Sequence, residues 1–192
     1  MLSSLQLNDL LMKYTMASRT VGTGALAASH DARIRSAGWP ADVPLTSWTR
    51  TDAARFELLA DLAGREDART FEQAALACFT EGDAGEQTSW CRAVSLLPAP
   101  ERFLAAVTDA CRTNILPLFE STACENPYPA RYFPELNFNQ MVLKAMFNGV
   151  ALARIAGLSA RRNAELSRMS ADYAAERTAA GRSVPADIAL AQ

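Results

Sequence analysis

Apolar positions recur at i, i+3, i+4 and i+7 along nearly the whole chain, the period of an amphipathic helix. In the first such segment Ser3 or Ser4 stands where a cap belongs, and Leu7, Leu10, Leu11 and Tyr14 follow on one face. Gly22, Gly24, Gly38, Pro40 and Pro44 then interrupt the period; within them Ala25–Ala37 predicts a short helix. Trp39 and Trp48 flank the proline-bearing loop and are expected to plug it onto the core. Thr49 or Thr51 opens the next helix, which carries Phe56, Leu58, Leu59 and Leu62 up to Gly64. A helix over about Arg65–Thr80 turns Phe71, Ala74, Ala75, Cys78 and Phe79 inward, and Gly82 and Gly85 break it. Another, Glu86–Leu97, buries Trp90, Val94 and Leu97 before Pro98 and Pro100.

The second half is less regular. One helix is predicted over about Glu101–Phe119, with Phe103, Val107, Ala110, Asn114 and Leu118 on a common face. Pro117 lacks an N–H and would crowd the carbonyl of Thr113, so a kink is expected there. Asn114 is then either satisfied near a helix end or turned into a pocket beside Arg112. Residues 124–137 hold Pro127, Pro129 and Pro134 together with Tyr128, Tyr132 and Phe133. Each proline pushes its predecessor toward extended backbone, which predicts a stiff non-helical strap, either a bridge between helical layers or a binding loop. Phe138–Ile155 reads as a helix with Met141, Val142, Ala145 and Met146 inward, a polar stripe Gln140–Lys144–Asn148 on another side, and Gly157 as its stop. Ser159 is the expected cap of a last long helix reaching Ala180, with Arg161/Glu165 and Arg168/Asp172 at ion-pair spacing. Gly181 stops it, and Pro185 suits the first turn of a short docked helix.

These segments predict an all-α protein of seven to nine helices forming one domain over residues 1–192. Helix pairs in antiparallel succession stack as a short armadillo/HEAT-like solenoid or as a compact bundle. Short, evenly spread links favour the solenoid. The composition agrees: 49% of the 192 residues are apolar and 21% charged, enough to bury a core without disulfide or metal.

Charge and cysteine usage remove several function classes. A net charge of −2 provides no basic field for nucleic acid. No apolar run is long enough to span a membrane, and Asp9 and Lys13 inside the first apolar stretch argue against a signal peptide, so a cytoplasmic location is expected. Cys78, Cys91, Cys111 and Cys124 lie 13, 20 and 13 residues apart, with no C-x2-C pair, and read as small buried hydrophobes. His30 is the one histidine, which excludes multi-histidine metal sites and leaves Ser-His-Asp chemistry without a partner motif. No cofactor is predicted.

The run Asn126-Pro127-Tyr128-Pro129 through Tyr132-Phe133-Pro134, followed by Phe138-Asn139-Gln140-Met141-Val142-Leu143-Lys144-Ala145-Met146-Phe147, resembles the EboA family. So do Arg112-Thr113-Asn114-Ile115, Ile155-Ala156-Gly157-Leu158, Arg162-Asn163-Ala164-Glu165-Leu166, Asp172-Tyr173-Ala174-Ala175-Glu176-Arg177 and Ala179-Ala180-Gly181-Arg182. Phe138 stands where the family often has Trp. The resemblance implies a bacterial protein encoded with a UbiA-type membrane prenyltransferase and associated with moving a secondary-metabolite precursor toward the periplasm.

Candidate binding groups gather in these motifs. Amides and tyrosines come from Asn114, Asn126, Tyr128, Tyr132, Asn139, Gln140, Asn163 and Tyr173; ionic groups come from Arg112, Lys144, Arg162, Glu165, Asp172, Glu176 and Arg177. No metal triad, nucleotide loop or aspartate-rich diphosphate motif lies among them. Such an inventory suits hydrogen bonding and stacking on a polar aromatic small molecule, or a docking surface. The leading expectation is a non-enzymatic carrier or adaptor, its pocket floored by the Phe138–Phe147 helix and roofed by the Tyr128–Phe133 segment. Two alternatives stay open. One is an interaction scaffold for the membrane prenyltransferase; the other is a lyase or isomerase using Glu165, Asp172 or Glu176 as acid/base, with Lys144 or Arg162 stabilising charge.

Overall fold

A computed structural model describes residues 2–192. Among them lie eleven α-helices and four 3-10 turns, with β pairing confined to one isolated bridge between Ala25 and Thr49. Two of the helices have five and four residues; the other nine match the expected all-α class. The chain falls into two compact units, the first ending at Thr122 and the second spanning Ala123–Gln192.

The first unit is built on local capping signals. Helix α1 (Ser4–Val21) starts with a capping box in which the Ser3 hydroxyl accepts from the Gln6 N–H and the Gln6 side chain answers the Ser3 N–H. Helix α2 (Ala28–Ser36) occupies the glycine-bearing stretch, slightly shorter than expected. Trp39 and Trp48 are both buried and meet edge to face at 5.2 Å, and Trp48 continues onto Phe56 at 6.4 Å. The proline loop is held by these indoles and by Arg35, which donates to the carbonyls of Pro40 and Val43. Helices α3 (Arg50–Ala63), α4 (Ala68–Thr80) and α5 (Ala84–Ala93) begin at Thr49, Asp67 and Asp83, each accepting from the first-turn backbone. Trp90 is fully buried against Phe79 at 4.8 Å and Phe103 at 5.4 Å, and Phe103 against Phe71 at 6.4 Å. This aromatic cluster is the centre of the unit's core.

The expected single helix over Glu101–Phe119 is corrected. A 3-10 turn (Pro100–Phe103) leads into α6 (Leu104–Arg112), the chain then extends at Thr113, and α7 (Leu116–Ala123) begins afresh. Pro117 falls in the first turn of α7, where a missing N–H costs nothing, so it opens a helix instead of kinking one. Asn114 lies exposed in the intervening bend, off any helical face.

All four thiols are free and buried. Loss of hydration pushes Cys78 and Cys91 up to about 12, with Glu86 adding to the effect at Cys78. At pH 8 such thiols are on the order of 10⁻⁴ ionised, against about a quarter for an exposed cysteine. The native protein is therefore expected to leave Ellman's reagent essentially unreacted at pH 8, with all thiols titrating once denaturant is added. Rapid labelling of the folded chain would contradict this packing.

In the second unit the aromatic strap is itself partly helical. Asn126 is buried and its side-chain oxygen accepts from the Tyr128 N–H, turning the chain into α8 (Tyr128–Tyr132). Pro134 then precedes α9 (Glu135–Phe147), which starts three residues earlier and stops eight earlier than the periodicity predicts. The stop is Gly149, at φ +69°, a backbone region closed to most L-residues. A 3-10 turn (Leu152–Arg154) follows. Gly157, the expected stop, instead leads into α10 (Leu158–Arg161); a Cβ there would lie 2.6 Å from the Ala130 methyl carbon, so this crossing admits only glycine. Asn163, not Ser159, caps the long helix α11 (Ala164–Ala179). Pro185 precedes the final 3-10 turn (Ile188–Ala191), which it helps start by accepting from the Ile188 N–H.

Candidate functional site

The expected polar groups of the second unit separate into four places. Asn139 is buried and exchanges two hydrogen bonds with Asn163, at 3.1 and 3.0 Å; Asn163 also caps α11 through the Leu166 N–H at 2.8 Å and donates to the Arg161 carbonyl. The Tyr128 and Tyr132 rings meet at a 43° tilt with centroids 4.7 Å apart, and Asn126 accepts from the Tyr128 N–H. Glu165 and Asp172 are exposed on α11 and both receive Arg168, whose hydrogen bonds hold the Glu165 carboxyl below its usual range. Tyr173 and Arg177 line a recess with Phe147. Gln140, Arg162 and Glu176 are exposed, and Lys144 is half-buried in the last turn of α9. In the first unit, Arg112 pairs with Asp109 at 3.0 Å on the surface of α6.

The predicted Arg161/Glu165 pair does not form, because the helix breaks between them at Arg162 and Asn163. Arg161 turns back to α8 and donates to the carbonyls of Ala130 at 2.7 Å and Phe133 at 2.8 Å, with its guanidinium 4.7 Å over the Phe138 ring. It caps α8, whose carbonyls have no following turn to receive them.

The recess around Tyr173 has a volume of about 530 Å³, within the range of small-molecule pockets. Its walls are the end of α9, the middle of α11 and the tail Ser183–Asp187. Tyr173 is buried and anchored by donating to the Met146 carbonyl at 3.1 Å. Phe147 meets it edge to face at 4.8 Å while remaining 64% exposed, an unusual state for so large a ring. Arg177 lies 5.8 Å over the Tyr173 ring and donates through Nε to the Ser183 carbonyl at 2.8 Å. Its terminal nitrogens have no partner among the described residues. Asp187 is occupied as a backbone acceptor, receiving the Leu152 N–H at 2.6 Å. An open aromatic edge beside an anchored tyrosine and a half-free guanidinium can stack on a ring and pair with its oxygen.

Sequence reasoning missed two contributors to this recess. Phe147 belongs to the resembling motif but ranks as another apolar residue until α9 is known to end there. Ser183–Asp187 carries only a proline signal for a docked tail.

It also missed the buried ionic network of the first unit. Asp52, Arg55, Glu86 and Ser89 are all buried on α3 and α5. Asp52 accepts from the Thr49 N–H and hydroxyl and from Arg92, each at 2.8 Å, and from the Ser89 hydroxyl at 2.5 Å. Arg55 donates to the carbonyls of Tyr14 at 3.0 Å and Gly85 at 3.1 Å and to Ser89 at 2.9 Å, and stands 3.7 Å from Glu86. The signal available was the double capping box Thr49-x-x-Asp52 and Asp83-x-x-Glu86, with Arg55 and Ser89 three residues further on each helix.

Fold and recesses define an all-helical protein whose units carry clefts of small-molecule size. No helix of the described residues is long and apolar enough to cross a membrane, and none of their His, Cys, Asp and Glu side chains group as a metal set. Residues 2–191 match the family described as metabolite traffic protein EboA, and the chain belongs to that family. No curated protein and no solved structure matches it.

Proposed function

We propose that this chain is a non-enzymatic carrier or adaptor that holds a polar aromatic precursor in the course of its traffic, with the Phe147–Tyr173–Arg177 recess as the holding site. The observation that carries the reading is the exposed Phe147 ring set edge-on against anchored Tyr173, beside a guanidinium with vacant donors. Family membership supports small-molecule handling. The carboxylates considered for acid–base work, Glu165 and Asp172, sit in exposed pairs with Arg168, whereas a general acid or base needs a sheltered position against its substrate.

The test is binding of indole-3-acetate and 4-hydroxybenzoate to the full chain by calorimetry. Wild type is expected to bind at least one of them, and Phe147→Ala and Arg177→Gln to weaken it by about tenfold or more, the worth of one stacking or charge-assisted contact. Both substitutions lie at the surface and leave the core intact. Absent binding, or equal binding by Phe147→Ala, overturns the reading. The scaffold alternative has its own observation: Leu5, Met12 and Met16 project from α1 at 82%, 59% and 39% exposure, at helical spacing.

A further inference from the structure

We infer that the first unit carries a separate binding site for a small 2-amino or 2-hydroxy acid, in the recess beside the Asp52–Arg92 pair. This recess measures about 440 Å³ and is formed wholly by the first unit, so it stands or falls independently of the Tyr173 recess.

The guanidinium of Arg92 is the first reason. One terminal nitrogen is committed to Asp52 at 2.8 Å. Its Nε is shut off from solvent and has no hydrogen-bond partner. The other terminal nitrogen is likewise without a partner among the described residues. A guanidinium held through one terminal nitrogen and vacant at the other is a ready receptor for a carboxylate at that second nitrogen. Asp52 cannot fill that role further, since its oxygens already receive four donors.

The rest of the lining selects among carboxylates. Four ionisable side chains face the recess: Asp52, Asp83, Arg55 and Arg92. Two of each sign cancel, so a simple polyanion gains nothing from the field. Asp83 uses one oxygen for the Glu86 N–H at 2.8 Å and offers the other to a ligand donor. Thr51 and Thr88 donate to the carbonyls of Gly22 and Ala84, leaving lone pairs as acceptors. Ile115, 45% exposed, and Pro117 supply an apolar edge. An acid with an adjacent ammonium or hydroxyl and an aliphatic side chain meets all three features.

The experiment follows the Arg92 Nε–H resonance and the Thr88 backbone amide of the ¹⁵N-labelled full chain during titration with L-leucine, its 2-hydroxy analogue and L-leucinamide. Expected are saturable shifts of both signals with the amino or hydroxy acid at millimolar concentration, and none with the amide, which lacks the carboxylate. Arg92→Lys keeps the charge opposite Asp52 but removes the second terminal nitrogen; binding read at Thr88 should fall about tenfold. Thr23→Trp, at an exposed loop position on the lining, should block entry without touching the core. Shifts absent for both acids, equal response to leucinamide, or undiminished binding in either variant overturns the inference.

Discussion

Replacement of Asp52 by Ala is expected to destabilise the first unit by about 3–5 kcal/mol, the cost of breaking a buried ion pair from one side. Asp52 is 2% exposed and joins α3 to α5 by accepting from Ser89 and Arg92. Its removal strands the Arg92 charge, leaves the Ser89 hydroxyl to its own helix and ends the capping box of α3. Equilibrium urea unfolding checks the figure. Asp83→Ala, which removes an exposed cap of α5, serves as the comparison and is expected to cost only about 1 kcal/mol. A double substitution Asp52→Ala/Arg92→Met should recover part of the loss, because it removes the stranded charge. Equal effects of Asp52→Ala and Asp83→Ala would show that the network adds nothing beyond capping.

The second large effect is expected at Arg161, where Ala should cost about 3 kcal/mol. The guanidinium makes two short charge-assisted hydrogen bonds to the Ala130 and Phe133 carbonyls and covers the Phe138 ring. Each such bond is worth about 1.5–3 kcal/mol to a charged donor, less what water recovers at this half-buried position. Arg161→Lys should recover less than half of that loss of about 3 kcal/mol, since an ammonium cannot span two carbonyls and a ring face at once. Thermal unfolding of the two variants, with Arg168→Ala as a surface control expected to leave the midpoint unchanged, separates this role from generic charge. A lysine variant as stable as wild type would refute the forked cap.

These two residues show how far a linear reading reaches. The starts of α1 and α3 were legible because Ser3 and Thr49 are cap-type residues set just ahead of an apolar period, whereas the Asp83–Glu86 box that starts α5 was passed over. Trp39 and Trp48 were legible as plugs because two indoles in one short loop carry a large apolar area that burial stabilises. The end of α9 and the start of α11 were harder. Ile155 keeps the apolar period that α9 has already abandoned, since Val150, Leu152 and Ile155 are buried from turns instead of from a helix. Arg161 and Glu165 had ideal spacing, yet a helix break between them sent each to another partner. Among the candidate site residues, Tyr173 and Arg177 were found through the family motif, while Phe147 drew no notice because its exposure depends on where α9 stops.

Helical class, the starts of α1 and α3 and the apolar character of the four thiols follow from signals that act within one or two turns, so the order of residues alone determines them. The two recesses do not follow in that way. Ser89 and Arg92 are 37 and 40 residues from Asp52, and Met146 is 27 from Tyr173. Such pairings form only when packed helices bring distant turns together, and packing is decided by the summed fit of many apolar side chains, which no local pattern encodes.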